Sequence, residues 1–308
     1  MSPTIFRTYD QAALDRQYNN LLKVAPGGFQ QYQALWAEQS ARARATINCV
    51  RDLAYGGSAL ENLDIFMPET AGPHPVQIYI HGGYWRSGDK NECSYVATGF
   101  TAADIVTVVI NYGLAPAVRL QEQVQQCVVA VNWVKENIAR YRGDPERIYV
   151  TGHSAGGHLA AMLVAAPSDG APPSLAPGTI KGICALSGVY DLEPVRLSYV
   201  NETLRLTEAD VAMRSPARAG CVAGTRILIG VGEREGDEYL RQSRELACQW
   251  LTSASEVTLV VSPEDEHFSI RTHLGNRQSN LCHRIFAFMA IDHCFEKSWD
   301  PPAGETAR

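Results

Sequence analysis

The sequence Gly-His-Ser-Ala-Gly at residues 152–156 constrains this chain more than any other feature, because it matches the pattern G-x-S-x-G. Residues 147–151 before it are typical of a short buried strand, and residues 157–164 after it are typical of a helix start. A sharp turn between a strand and a helix holds a serine in a strained conformation with its hydroxyl exposed. We therefore predict that Ser154 is a nucleophile. The alternative is a glycine-rich turn that merely packs a helix onto a sheet.

Composition and charge place the chain among globular proteins. Its 308 residues are 45% hydrophobic and 19% charged, which allows a substantial core, and we predict one domain over residues 1–308. The net charge is −6 and no block of lysine and arginine occurs, so we expect neither a nucleic-acid nor a membrane partner. The longest apolar run, residues 159–166, is too short to span a bilayer.

The compartment and the absence of a metal are predicted from cysteines and histidines. The N-terminus lacks the apolar core of a secretory signal. No C-x-x-C pair occurs, and Cys127, Cys184 and Cys248 lie in apolar patterns typical of buried thiols in a reducing compartment. We therefore expect a cytoplasmic protein. His153 and His158 are spaced so that they do not share one helix face, so we expect no metal and no cofactor.

Strand-like and helix-like segments alternate along most of the chain. The longest helical pattern, residues 121–141, places Val124, Val131 and Val134 on one face. Such alternation predicts an α/β fold, with a mostly parallel central sheet covered by helices on both faces. The predicted strands are residues 62–67, 76–80, 105–110, 148–150, 180–186, 226–231 and 257–261.

Some segments depart from this alternation. Residues 1–45 are polar and helical and precede the first predicted strand, whereas residues 192–220 form an insertion that we predict to be a small lid. A segment rich in proline and serine, residues 167–177, predicts a surface loop. The polar tail, residues 298–308, is predicted to fray.

A serine hydroxyl is a weak nucleophile at neutral pH and needs a general base oriented by a carboxylate. In enzymes built on this strand–turn–helix element, the chain order is serine, acid, histidine. The acid is expected after the strand at 226–231, where we favour Glu235 and keep Asp237 as the second candidate. The base is expected after the last strand, where His267 is the histidine in the right position.

Such a reaction also needs backbone N–H groups that face the developing negative charge on the carbonyl oxygen. Ala155, directly after the serine, supplies one N–H group. Gly82 and Gly83 follow the predicted strand at 76–80 and supply the others, because glycines let the backbone approach a substrate closely. We interpret His81 as an anchor of this loop in preference to a proton carrier.

Several short segments match a known family, and the resemblance as a whole covers roughly residues 15 to 290. They are residues 81–85 (HGGYW), 86–90 (RSGDK), 111–116 (NYGLAP), 152–159 (GHSAGGHL), 187–192 (SGVYDL), 238–243 (EYLRQS) and 267–268 (HF). In these segments the chain resembles the kynurenine formamidase (arylformamidase) branch of the α/β-hydrolase superfamily, near the hormone-sensitive-lipase-like esterases. Related esterases usually have a third glycine in place of Tyr84, and the family commonly has Asp in place of Glu235.

The resemblance implies an α/β-hydrolase fold and hydrolysis of a small aryl formamide. It also implies an aromatic pocket near the N–H loop, onto which Tyr84 and Trp85 map. His153 beside the serine and Phe268 beside the base complete the predicted substrate-binding residues.

The predicted function is that of a serine hydrolase. We expect it to cleave a small aryl amide or formamide, of the N-formylkynurenine type, through an acyl-enzyme. The same residues would serve a carboxylesterase or a carbamate hydrolase. From another class, a non-catalytic ligand-binding protein on a hydrolase scaffold remains an alternative. The expected partner is a small aromatic amide or ester, and a homodimer is left open.

Overall fold

The computed structural model describes residues 3–166 and 175–291. Most of the loop predicted at 167–177 and the tail predicted at 298–308 lie outside these ranges. Within the described residues no helix is long and apolar enough to cross a membrane.

The described residues form one sheet of eight strands in the order β1-β2-β4-β3-β5-β6-β7-β8. Strands β1 and β2 pair antiparallel, β2 pairs antiparallel with β4, and every later pair is parallel. The sheet is therefore mostly parallel, as predicted. The strands are β1 (Cys49–Ala54), β2 (Asn62–Phe66), β3 (His74–Ile80), β4 (Val106–Ile110), β5 (Gly143–His153), β6 (Ile180–Leu186), β7 (Arg226–Gly232) and β8 (Glu256–Ser262).

Helices cover both faces of the sheet, and together with the strand order and the antiparallel β2 this gives the α/β-hydrolase fold that the resemblance implied. In β3, the side chain of Ile78 joins the hydrophobic core on one face and that of Tyr79 joins the core on the other, because successive strand residues point to opposite faces. The α-helices are α1 (Gln11–Tyr18), α2 (Gly28–Thr46), α3 (Val96–Thr101), α4 (Leu120–Asn137), α5 (Ala155–Met162), α6 (Glu193–Arg196), α7 (Asn201–Leu204), α8 (Glu208–Arg214), α9 (Asp237–Trp250), α10 (Ser269–Thr272) and α11 (Asn280–Phe288).

The structure departs from the sequence patterns in strand β1 and at Cys248. Strand β1 was not predicted, because its side chains are mostly exposed or half-buried at the sheet edge and carry Arg51 and Asp52. Cys127 and Cys184 are buried as expected, but Cys248 is exposed. The apolar pattern around Cys248 was misread, because α9 buries its other face with Leu246, Ala247 and Trp250.

The parallel strands bring their carboxyl ends to one edge of the sheet. The loops after β3, β5, β7 and β8 meet at this edge, which is where α/β sheets place their ligands. The N-terminal segment, which contains α1 and α2, packs against the same edge from outside the sheet. The insertion predicted as a lid folds into the short helices α6, α7 and α8.

Candidate active site

Ser154 lies at the sharp turn between β5 and α5, with φ 58° and ψ −121°. Few residues other than glycine adopt such a positive φ, so the turn is strained. Gly152 and Gly156 permit it: a side chain on Gly152 would collide with the carbonyl of Gly156, and one on Gly156 would collide with the backbone of β3. The strand–turn–helix element predicted from sequence is therefore present.

The structure brings Ser154, His267 and Glu235 together at the carboxyl edge of the sheet. His267 Nε2 lies 2.9 Å from Ser154 Oγ, and His267 Nδ1 lies 2.6 Å from Glu235 Oε2. All three side chains are buried. In this arrangement Nδ1–H donates to the carboxylate, which leaves Nε2 free to accept the hydroxyl proton. Asp237, the second candidate for the acid, instead begins α9.

Glu235 is held by further hydrogen bonds. Ser187 Oγ donates to its Oε1 over 2.5 Å and Gly232 N–H donates to the same oxygen over 2.6 Å. Burial raises the pKa of Glu235 to about 7, against these two hydrogen bonds and the charge of Lys23. Burial lowers the pKa of His267 well below its usual value, and the charges of Lys23 and Arg271 lower it further. The base is therefore neutral at neutral pH, as catalysis requires.

Gly82 and Gly83, the glycines predicted to donate N–H groups, line the same cavity as Ser154, and Ala155 directly follows Ser154 at the start of α5. No described residue accepts a hydrogen bond from any of the three. A side chain on Gly82 would come within 2.9 Å of Ser154 Cβ, so this loop passes directly beside the nucleophile. Gly83 has φ 117°, and a side chain there would collide with Ser87, so glycine is required at this point.

Trp85 corrects one prediction. It was expected to bind substrate, but its side chain is fully buried and does not line the cavity. Its indole N–H donates to His158 Nδ1 over 3.3 Å, and its carbonyl accepts from Gln123 Nε2. Sequence reasoning treated the two aromatic residues of the loop alike. The backbone turns between them, so Tyr84 faces the cavity and Trp85 faces the core, where it anchors the loop.

His81 and His153 also hold this edge of the sheet. The His81 ring is buried and stacks on Tyr112 with ring centres 4.4 Å apart, which is the arrangement of a loop anchor. His153 Nε2 lies 2.8 Å from the carbonyl oxygen of His267, which requires it to donate. Burial lowers the pKa of His153 well below its usual value, so the ring is neutral and fixes the backbone of the base.

Ser154 opens into a cavity of about 360 Å³. Of the predicted substrate-binding residues, Tyr84, His153 and Phe268 line it. The N-terminal segment supplies much of the remaining wall, whereas the insertion contributes Tyr199. The wall residues from the N-terminal segment are Asn19, Asn20, Leu21, Phe29, Gln33 and Trp36.

An aromatic cluster forms one side of the cavity. The Phe29 and Phe268 ring centres are 4.7 Å apart, and those of Trp36 and Phe268 are 6.3 Å apart. Trp36 Nε1 donates to Thr272 Oγ1 over 2.9 Å, which ties α2 to α10. Sequence reasoning missed Phe29 and Trp36. The available signal was their spacing of seven residues, which places both side chains on one face of a helix.

Lys23 connects the N-terminal segment to the acid. Its Nζ donates to the carbonyl oxygens of Gln17, over 2.6 Å, and Glu235, over 2.5 Å, and to Asn20 Oδ1 over 3.1 Å. It also lies 4.9 Å from the centre of the Tyr239 ring, which packs on His267. Burial lowers the pKa of Lys23 to about 8. No sequence pattern indicated this contact, because its partners are mostly backbone oxygens.

The fold and the serine–histidine–glutamate arrangement define the class: the chain is an α/β-hydrolase, an enzyme of the amidase and esterase kind. The BD-FAE family model matches residues 63–212, which include Ser154 and the loop that contains Gly82 and Gly83. Similarity to solved structures agrees with the fold. A protein of Silicibacter sp. tm1040 superposes with a TM-score of 0.75 at 26% identity, covering 88% of this chain and 97% of that one. Esterase LipW from Mycobacterium marinum gives 0.65 at 20% identity and 90% coverage of both chains.

Two curated relatives place the chain more finely. Kynurenine formamidase of Danio rerio is 33% identical over 235 residues, covering 74% of this chain and 78% of the relative. Kynurenine formamidase of Salmo salar is 32% identical over 260 residues, covering 82% of this chain and 86% of the relative. The chain belongs to the kynurenine formamidase family. Esterase LipQ of Mycobacterium tuberculosis is 35% identical over a shorter region, covering 46% of this chain and 35% of the relative.

Proposed function

We propose that this chain is a cytoplasmic serine hydrolase that cleaves small aryl formamides, of the N-formylkynurenine type, through a formyl-enzyme. The observation that carries the proposal is the position of Ser154 and His267, which share one cavity with an aromatic wall made of Phe29, Trp36 and Phe268. Flat aromatic rings favour an aryl group on the substrate. The kynurenine formamidase family, to which the chain belongs, supports the same proposed substrate class.

The reaction follows from the geometry of the catalytic residues. His267 Nε2 takes the Ser154 proton as Oγ attacks the formyl carbon. The N–H groups of Gly82, Gly83 and Ala155 stabilise the negative charge on the carbonyl oxygen. His267 then gives its proton to the nitrogen of the departing arylamine, and the C–N bond breaks. Water, deprotonated by His267, attacks the formyl-enzyme and releases formate and free Ser154.

The test compares turnover of N-formylkynurenine with that of p-nitrophenyl acetate. We expect the formamide to give the higher kcat/KM, and we expect Ser154→Ala to remove turnover of both, by roughly 10⁴-fold or more. A wild-type enzyme that turns over the ester and leaves the formamide intact would refute the proposed substrate and leave the serine mechanism standing. Full activity of Ser154→Ala would refute the mechanism.

A carboxylesterase is the second candidate. The relatives that match about half of this chain are named as esterases, among them isoprenylcysteine alpha-carbonyl methylesterase of Arabidopsis thaliana at 32% identity, covering 46% of this chain and 34% of the relative. Ester and carbamate substrates would use the same catalytic relay of Ser154, Glu235 and His267. The comparison of substrates therefore decides between these candidates. Covalent labelling of Ser154 by an organophosphonate separates all of them from the non-catalytic alternative.

A further inference from the structure

The charged side chains around the cavity are mostly positive, although the chain as a whole is negative. The chain carries a net charge of −6, whereas the charged residues that line the cavity are Arg86, Glu92 and Arg271. Neither arginine forms an ion pair with any carboxylate of the described residues. An arginine without a carboxylate partner is unusual in a partly enclosed site, because its charge is costly to desolvate. The cavity therefore suits an anionic ligand.

Of these two arginines, Arg271 is the more rigidly held. Its guanidinium carbon lies 3.7 Å from the centre of the Trp36 ring, its Nε donates to Tyr95 Oη over 3.1 Å, and its Nη2 donates to Cys93 Sγ over 3.7 Å. No described residue accepts a hydrogen bond from Nη1. Stacking on an aromatic ring fixes the plane of a guanidinium group and leaves its edge available, which suits recognition of a planar carboxylate.

Arg271 also lies close to the catalytic base. It belongs to α10, which begins directly after Phe268, and its charge contributes to the lowered pKa of both His267 and His153. In a formamide the acyl part is a single carbon, so a group that reaches the aromatic wall must belong to the arylamine. An anion bound at Arg271 would therefore be a substituent of the departing amine.

We propose that Arg271 binds a carboxylate on the arylamine side of the substrate and so determines specificity for anionic aryl amides and esters. The inference rests on the proposed function for the position of the aryl group, but the charge preference is measured separately from it. The chemistry is a charge-assisted hydrogen bond from Nη1 to the carboxylate, which a neutral carboxamide of the same shape does not match.

The experiment uses formanilides that carry a propanoate chain at the ortho, meta or para position, each paired with its propanamide. The measurement is the ratio of kcat/KM between the acid and the amide. For the wild-type enzyme we expect at least one isomer to show a ratio of about 10 to 100 in favour of the acid. Arg271→Met should reduce this ratio to about 1, and Arg271→Lys should keep part of it, because the charge remains.

The ratio is taken within one preparation, so a loss of folded protein does not change it, and Arg271→Lys serves if the Met variant fails to fold. Arg244→Met, on the exposed face of α9, is the matched control and should keep the wild-type ratio. A wild-type ratio near 1 for every isomer would overturn the proposal. So would a preference that disappears in Arg86→Met and persists in Arg271→Met.

Failure of the formamidase proposal can be distinguished from failure of the proposed carboxylate site at Arg271. If no formanilide is hydrolysed, the same acid and amide pairs are measured as acetate esters of the corresponding phenols, which the relay cleaves in either case. An acid preference that depends on Arg271 with these esters supports the anionic subsite even though the formamidase proposal has failed. No such preference with either substrate series overturns the subsite.

Discussion

Two regions meet in the cavity, and they are built differently. The relay of Ser154, Glu235 and His267 stands on loops at the ends of parallel strands, where each residue is fixed by its own short segment. The wall from the N-terminal segment has no such local element. It reaches the cavity because α2 packs on α10 through Trp36 and because Lys23 bonds to the Glu235 backbone. The relay therefore determines the reaction, and the wall determines which substrates fit the cavity.

The two regions should differ in the kinetic constant that a substitution changes. A relay residue acts in the transition state for every substrate, so its loss lowers kcat whatever the leaving group. A wall residue binds the part of the substrate that does not react, so its loss raises KM or changes selectivity. The insertion predicted as a lid provides a third region for comparison, since it contributes Tyr199 to the wall.

The largest effect is expected for Glu235→Gln. Without the carboxylate, the His267 ring loses its correct tautomer and the stabilisation of its cation, so kcat should fall about 10³- to 10⁴-fold. The fall should be equal for an aryl formamide and an alkyl ester. Asp237→Asn is the matched control and should stay within about threefold of wild type, because Asp237 begins α9 and the His267 ring bonds to Glu235 and Ser154 instead. A large loss in the control, or a loss confined to aryl substrates, would contradict the assignment.

The pH profile adds a second readout for the same variant. The active pair has ionised Glu235 and neutral His267, and burial raises the pKa of Glu235 to about 7. The wild-type kcat/KM should therefore fall as the pH drops through about 7, where the pair takes up a proton. In Glu235→Gln the carboxylate is gone, but burial still lowers the pKa of His267. The fall of kcat/KM on the acid side of the pH profile should therefore move to lower pH.

A smaller effect, of a different kind, is expected for Trp36→Ala. Loss of the ring opens the aromatic wall, so KM for aryl substrates should rise about 10- to 100-fold, whereas kcat for a small alkyl ester should change little. The variant also costs about 3–5 kcal/mol of folding stability, because the ring is buried, so Trp36→Phe is the fold-preserving companion. Tyr199→Ala tests the insertion and should change KM less than about threefold. If Tyr199→Ala exceeds Trp36→Ala, the insertion and not the N-terminal segment forms the main wall.

The contrast between relay and wall also explains what could be predicted from the sequence. Alternating strand and helix patterns predicted the mostly parallel sheet, and loop positions after its strands predicted Ser154, His267 and Glu235 as neighbours. These inferences succeed because strand order and local turns place the residues. Edge strand β1 escaped because its burial pattern is weak. Trp85 was misplaced, since nothing in HGGYW shows where the backbone turns.

The wall could not be predicted in the same way. Phe29, Trp36 and Arg271 belong to segments distant in the chain, and their contacts follow from packing between α2 and α10. Lys23 bonds mainly to backbone oxygens, which are present at every residue and carry no sequence signal. The identity of such residues depends on tertiary structure, and this is why substrate choice is harder to read from a sequence than reaction class.

The smallest effect tests the contact between the two regions. Burial lowers the pKa of Lys23 to about 8, from 10.5 in the unfolded chain. Between these values the unfolded state binds more protons, so the free energy of unfolding should rise with pH from about 8 to about 10.5. The contribution is at most about 3 kcal/mol and is reduced by the partial exposure of the side chain. Lys23→Met removes it, so urea unfolding should show wild type gaining on the variant across this window.

Lys23→Arg separates the proton from the contact. Arginine stays charged throughout this pH range, so this variant should also lose the pH-dependent gain, although it keeps a cation beside the Glu235 carbonyl. Its kcat should lie closer to wild type than that of Lys23→Met, because a cation still helps to hold the acid loop. If both variants unfold in parallel with wild type from pH 8 to 10.5, Lys23 is not buried against the relay. The N-terminal segment would then shape the cavity without any electrostatic connection to the catalytic acid.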